Sequence, residues 1–263
     1  MQDSFSPLQM VLRRDRLLVI ASLALIIALS WAYILMGAGT NMAAISGSDK
    51  MSGVMLARPT WDVGYAVLML FMWWVMMLAM MLPSATPTIL LFMAINDKSE
   101  DGSRPAGAAF VLGYAVVWAG FSAAATILQW SLEKAALLTL AMASSSLLLG
   151  GGLLIAAGIW QLTPLKHACL RHCRSPIHFL AHGWREGTNG AFRMGLEHGA
   201  FCLGCCWVLM TLLFYGGVMN LWWIAGLAIY VLIEKLVPAG HWIGRGVGVL
   251  LVVWGLIVIA TAA

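Results

Sequence analysis

From Leu17 to Met36 the chain runs through twenty residues without a charge, and runs of similar length recur along most of its 263 residues. A hydrocarbon core about 30 Å thick is crossed by about 20 apolar residues in an α-helix. It admits only helices or closed barrels, because no water is there to satisfy free peptide groups. The recurrence constrains the fold more than any motif: the expected class is all-α, a polytopic transmembrane helical bundle of about seven spans. Composition agrees. Hydrophobic residues make up 62% and charged residues 10% of the chain, against roughly 45–50% and about 25% in ordinary soluble domains.

The first span is expected over 17–37, behind Arg13, Arg14 and Arg16. It is longer than a signal-peptide core and is read as a retained helix. A second begins near Trp61, passes through Met69 to Met81, and is expected to kink or end at Pro83 and Pro87. The third (107–129) and fourth (137–161) are joined through Ser131 to Lys134. The fifth (195–217) passes Gly216, Gly217 and Asn220 into a sixth (221–237), and the last covers 246–262. Polar loops are expected around Ser46 to Lys50, from Asn96 to Pro105, and over 163–193. The chain then divides into an N-terminal cytoplasmic segment with the first span (1–38) and a metal-binding membrane helical domain (60–262).

Charge placement orients the bundle. With the N-terminus in the cytoplasm, twelve Lys and Arg residues fall on the cytoplasmic side and only Lys50, Arg58 and Lys134 outside. That asymmetry is what the positive-inside rule requires. It also accounts for the formal net charge of +4 without a nucleic-acid partner; the lipid bilayer is the expected partner surface. The 163–193 loop becomes cytoplasmic.

All five cysteines and five of the six histidines lie between His167 and Cys206. In the fifth span His198, Cys202 and Cys205 fall within roughly 60° of arc on one helical face, with Cys206 at its edge. Buried cysteine is often only a small hydrophobe, but three thiols and an imidazole on one span favour a metal or redox site. Cys169 and Cys173, spaced i, i+4, share a face if their segment is helical, and would add donors if the loop folds back. His178 and His182 have the same spacing and are read as solvated or facing headgroups. A structural disulfide is disfavoured in a reducing cytoplasm.

Met69, Met72, Met76 and Met80 form a stripe about 16 Å long on the second span. Methionine commonly fills gaps between helices. Thioether and thiolate sulfur together, however, select Cu(I), and the stripe runs inward towards the depth of Cys202. The expected metal ligands are therefore His198, Cys202, Cys205, Cys206, Cys169 and Cys173, with Met76 and Met80 as donors along a path. Zinc is the other metal such a set accepts. Glu197, Glu234 and Lys235 lie near span ends and are read as snorkelling, as support for His198, or as a charge pair. No phosphate-binding loop, nucleophile elbow or His-Glu-x-x-His pattern supports hydrolase or ATPase chemistry.

Several unlinked segments resemble one family. They are Ala79-Met80-Met81-Leu82-Pro83-Ser84, Gln161-Leu162-Thr163-Pro164-Leu165-Lys166 with Cys169-Leu170 and Cys173-Arg174-Ser175-Pro176, and Gly204-Cys205-Cys206-Trp207. Leu213-Phe214, Gly217-Val218-Met219-Asn220 and Glu234-Lys235 continue the series. Over about residues 60–245 the chain resembles the bacterial family of predicted metal-binding integral membrane proteins of unknown function. The resemblance implies a bacterial inner (plasma) membrane location and metal binding. It carries Cys169, Cys173, Cys202, Cys205 and Cys206 over as matching positions.

The expected function is thus copper delivery, uptake or storage, with a copper chaperone or metalloenzyme client as partner. Two other readings stay open. One is a membrane thiol redox protein using Cys202 and Cys205 as a Cys-x-x-Cys couple. The other is an assembly subunit, packed through the small residues of Ala143 to Ser146 and Gly150 to Gly152.

Overall fold

Peptide groups surrounded by hydrocarbon must be satisfied locally, and the computed structural model is helical over almost all of the residues it describes. It describes residues 7–38, 61–97, 105–139 and 142–262, with side chains from residue 20 onward. The expected loop around Ser46 to Lys50, residues 98–104 of the next loop, and the side chains of Arg13, Arg14 and Arg16 lie outside that description. The helices are α1 (Pro7–Leu35), α2 (Val63–Asn96), α3 (Ala106–Lys134), α4 (Leu147–Leu162) and α5 (Pro164–Arg174). They continue with α6 (Pro176–Gly183), α7 (Gly187–Thr211), α8 (Leu213–Gly216), α9 (Leu221–Leu236) and α10 (Gly240–Ala260).

Side-chain caps start several of them. Asp62 accepts from the Tyr65 amide at 2.7 Å before α2, Ser146 from Leu149 before α4, and Asn220 from Trp223 before α9. Thr163 does the same for Lys166, and Pro164 follows it as the first residue of α5. That pair of signals breaks α4 from α5 with a bend of 65°.

Among the described residues, four segments are long and apolar enough to cross a membrane by themselves: α2, α3, α7 with α8, and α10. A fifth joins them if α4 and α5 count as one bent crossing. This is fewer than the expected seven, because α9 has only 16 residues and the described apolar part of α1 is Ile20–Leu35. Three further expectations change. The helix through Pro83 and Pro87 neither stops nor breaks but reaches Asn96. Near the prolines, Ser84 and Thr86 hydroxyls bond to the Met81 and Leu82 carbonyls. The fourth helix begins at Leu147, not near 137. The stretch 163–193 is not a loop but α5, α6 and the first turns of α7.

Contacts set the helix directions. Met81 meets Cys206 and Trp73 meets Phe214, so α2 and α7 are antiparallel. Gly113 and Gly195 bring α3 and α7 together in parallel: a Cβ on Gly195 would overlap the Phe110 carbonyl oxygen, and one on Gly113 the Phe192 carbonyl oxygen. α4 and α10 are antiparallel and equally close, the Gly158 and Gly248 backbones touching. α1 leans on α2, where Tyr33 meets Phe71 edge to face at 5.8 Å. Gly195→Val should destabilise the fold by about 1–3 kcal/mol or more, because neither helix backbone can yield. Gly226→Ala, on α9 with nothing within 4 Å, should be near neutral in the same thermal unfolding series in detergent.

Candidate metal centre

Burial of α5 against α7 builds the centre. α5 is short and has one apolar face. His172 stacks flat on Phe201, ring centroids 3.9 Å apart, and Cys169 fills the space that a side chain at Gly204 would need, 2.9 Å from that absent Cβ. A glycine there is what lets the α5 thiols approach α7. Cys173, one turn on from Cys169 on the same face of α5, is close enough to Cys202 and Cys205 for the thiols to influence one another electrostatically. The Cys205 and Cys206 thiols each turn back to the Cys202 carbonyl oxygen, both at 3.0 Å, as thiols do one turn along a helix.

Two further helices complete the surroundings. Cys206 Sγ lies 3.8 Å from Met81 Sδ of α2. From α9, Lys235 Nζ donates to Cys202 Sγ at 3.0 Å and to Ser84 Oγ at 3.2 Å, while the Tyr114 hydroxyl of α3 sits 3.1 Å from the same Cys202 sulfur. All five cysteines are free thiols, and Cys202, Cys205 and Cys206 are buried. Sulfur from α2 and α7 is therefore buried beside one ammonium group, and the half-buried thiols of α5 flank it.

The expected donors do not all meet. Cys173, Cys202, Cys205 and Cys206 are together, and Cys169 is beside them against Gly204. His198 is buried among the rings of Phe110, Tyr114 and Phe179, with centroids 5.6 to 6.0 Å away. Met76 and Met80 are buried in the core, but the methionine in contact with a thiol is Met81. His178 and His182 stack on each other at 4.2 Å on the exposed face of α6. Among the described residues no three His, Cys, Asp or Glu side chains already surround one point closely enough to hold an ion.

Sequence reasoning missed Lys235. It was read with Glu234 as a charge pair or a snorkelling end, but adjacent helical residues point about 100° apart and do not face each other. Glu234 instead pairs with Lys166 of α5, and both are buried. Arg174, near the end of α5, bonds the Val237 and Pro238 carbonyls at 2.6 Å each, closing the C-terminus of α9 as a cation there should. A lysine inside an otherwise apolar helix was the available signal.

The family model described as copper chaperone (PpoB2) matches residues 70–258. That span runs from α2 to α10 and includes every cysteine, Met81, Lys166, Glu234 and Lys235. No curated protein and no solved structure matches the chain.

Proposed function

Since the chain belongs to the copper chaperone family, we propose that it is an integral membrane protein that carries Cu(I) between α5, α7 and α9 and hands it to a copper-dependent client. The observation that carries this reading is the gathering of soft sulfur on three helices: Cys202 of α7 beneath the Lys235 ammonium, Cys206 against Met81 of α2, and Cys169 of α5 packed onto Gly204 of α7. Such a donor set is soft throughout, which suits Cu(I) better than a hard divalent cation. The thiols would close around an arriving ion. His198, enclosed by aromatic rings, then serves to shape the pocket rather than as a first ligand.

Charge favours a monovalent cargo as well. Cu(I) between two thiolates carries one negative charge, which the Lys235 ammonium balances. Zinc between the same two thiolates is already neutral and would leave the lysine uncompensated in a buried place.

In this reading α1, α4 and α9 join the four self-sufficient segments to make seven crossings, α9 lying tilted or in thinned bilayer. The Lys and Arg asymmetry puts α5 and α6, and hence the thiols, towards the cytoplasm. Residues 60–262 form the copper-handling domain of an inner-membrane protein, with 1–38 as its N-terminal anchor.

Elemental analysis of anaerobically purified protein tests the reading. Wild type offered Cu(I) should retain it stoichiometrically after desalting, and Cys202→Ser/Cys205→Ser should lose the thiol-bound ion. Wild type that holds no copper while its thiols remain free would refute it.

A further inference from the structure

At the start of the methionine stripe, far along α2 from the thiols, two other sulfurs converge on a single atom. Gln129 of α3 is fully buried, and its Nε2 lies 3.5 Å from Met69 Sδ, 3.4 Å from Met142 Sδ and 2.8 Å from Glu133 Oε1. The Trp73 indole donates to Gln129 Oε1 at 2.8 Å, which turns the amino end of the amide towards the sulfurs. An amino group has two hydrogens, and here three acceptors share them. Lone pairs of two thioethers and a carboxylate thus aim at one buried position.

The fourth contributor to this arrangement is backbone strain. Met142 has φ of 55°, a left-handed conformation that a non-glycine residue holds only where its surroundings enforce it. Two residues on, the Ser144 amide bonds the Phe214 carbonyl of α8 at 2.7 Å and so ties Met142 in place. Glu133 is itself positioned by the Trp61 indole, 2.7 Å from its other oxygen. Among the described residues it has no ion-pair partner.

The geometry points to a second Cu(I) site at this end of the bundle, with Met69, Met142 and Glu133 as ligands and the Gln129 amide holding the position until the ion arrives. This rests on the copper-carrier reading and supplies the ion's place of exchange at the opposite end of α2. Thioethers select monovalent copper, and one carboxylate cancels its single charge, so the loaded site is neutral where an uncompensated charge would be costly. A divalent ion would find one anionic ligand and remain charged. Between the two sites Met72, Met76, Met77 and Met80 are all buried on α2, and Met81 ends the series against Cys206. The separation from 69 to 81 is about 18 Å at 1.5 Å per residue. Thioethers hold copper less firmly than thiolates, so the ion runs from the Met69 end to the cysteines.

Anaerobic Cu(I) titration against a chromophoric chelator separates this from the thiol site. Wild type should bind one equivalent more than Met69→Leu/Met142→Leu, a pair of volume-conserving changes expected to leave the fold intact. Cys202→Ser/Cys205→Ser should keep that equivalent and lose the other. X-ray absorption on copper bound to the cysteine variant should then show sulfur ligation that disappears when Met69→Leu/Met142→Leu is added to it, since Met69 and Met142 would be its donors. Equal stoichiometry in wild type and the methionine variant would overturn the second site, as would copper in the cysteine variant bound by nitrogen and oxygen alone. Neither result would touch the thiol site, and loss of the thiol equivalent alone would leave the second site standing.

Discussion

Lys235→Met is expected to weaken Cu(I) binding at the thiols by roughly a hundredfold to a few thousandfold, the equivalent of the ~3–5 kcal/mol that follows when one partner of a buried charge pair is removed. Lys235 Nζ stands 3.0 Å from Cys202 Sγ, and its residue is only 6% exposed, so water does little to replace it. Methionine keeps the length and volume of the side chain while removing the charge. A bis-thiolate copper complex would then be an unbalanced anion in a buried space. Competition with a Cu(I) chelator measures the loss, and Lys235→Arg should recover part of it by restoring the charge. The same change should narrow the preference for Cu(I) over Zn(II), because the neutral zinc complex gains from losing the lysine. Lys235→Leu, which removes the charge without bringing a thioether donor to the ion, should lose at least as much; if it binds copper as tightly as wild type, the ammonium is structural and the charge argument fails.

The second large effect concerns stability. Lys166 and Glu234 are buried, at 0% and 2% exposure, and bond directly to each other. Lys166→Met leaves a carboxylate alone between α5, α9 and α10 and should cost about 3–5 kcal/mol. Adding Glu234→Gln should restore most of that, because a neutral pair needs no counter-charge. Thermal unfolding of the single and double variants in detergent forms the cycle. Additive losses would mean that the two charges act independently, against the structure. The pair also matters to the metal centre: it holds α9 against α5, and so holds Lys235 over the thiols.

The gathering of soft donors between His167 and Cys206 was plain in the order of residues, and helical periodicity correctly put Cys202 and Cys205 on a buried face. Periodicity could not tell that the neighbours of His198 on that face are Phe110, Tyr114 and Phe179, since those rings come from α3 and α6. Nor could it choose Met81 over Met80 as the sulfur at the thiols. One residue along a helix is a turn of about 100°, and which side faces α7 depends on how α2 rotates when it packs. The shortfall in self-sufficient crossings has a similar origin: the 16-residue α9 is held by polar contacts from Lys166 and Arg174 of α5 and Cys202 of α7.

By itself the sequence determined the helical class, the segregation of charge from apolar runs, and the chemical softness of the candidate site, because each depends on residue types and their spacing along one element. Only the tertiary structure decided that α5 folds onto α7 across Gly204, that Lys235 faces Cys202 while Glu234 turns to Lys166, and that Met69 and Met142 meet at Gln129. These are contacts between residues tens of positions apart, or more, in most cases. Their geometry is set by how helices rotate and close on one another, and no local pattern encodes that.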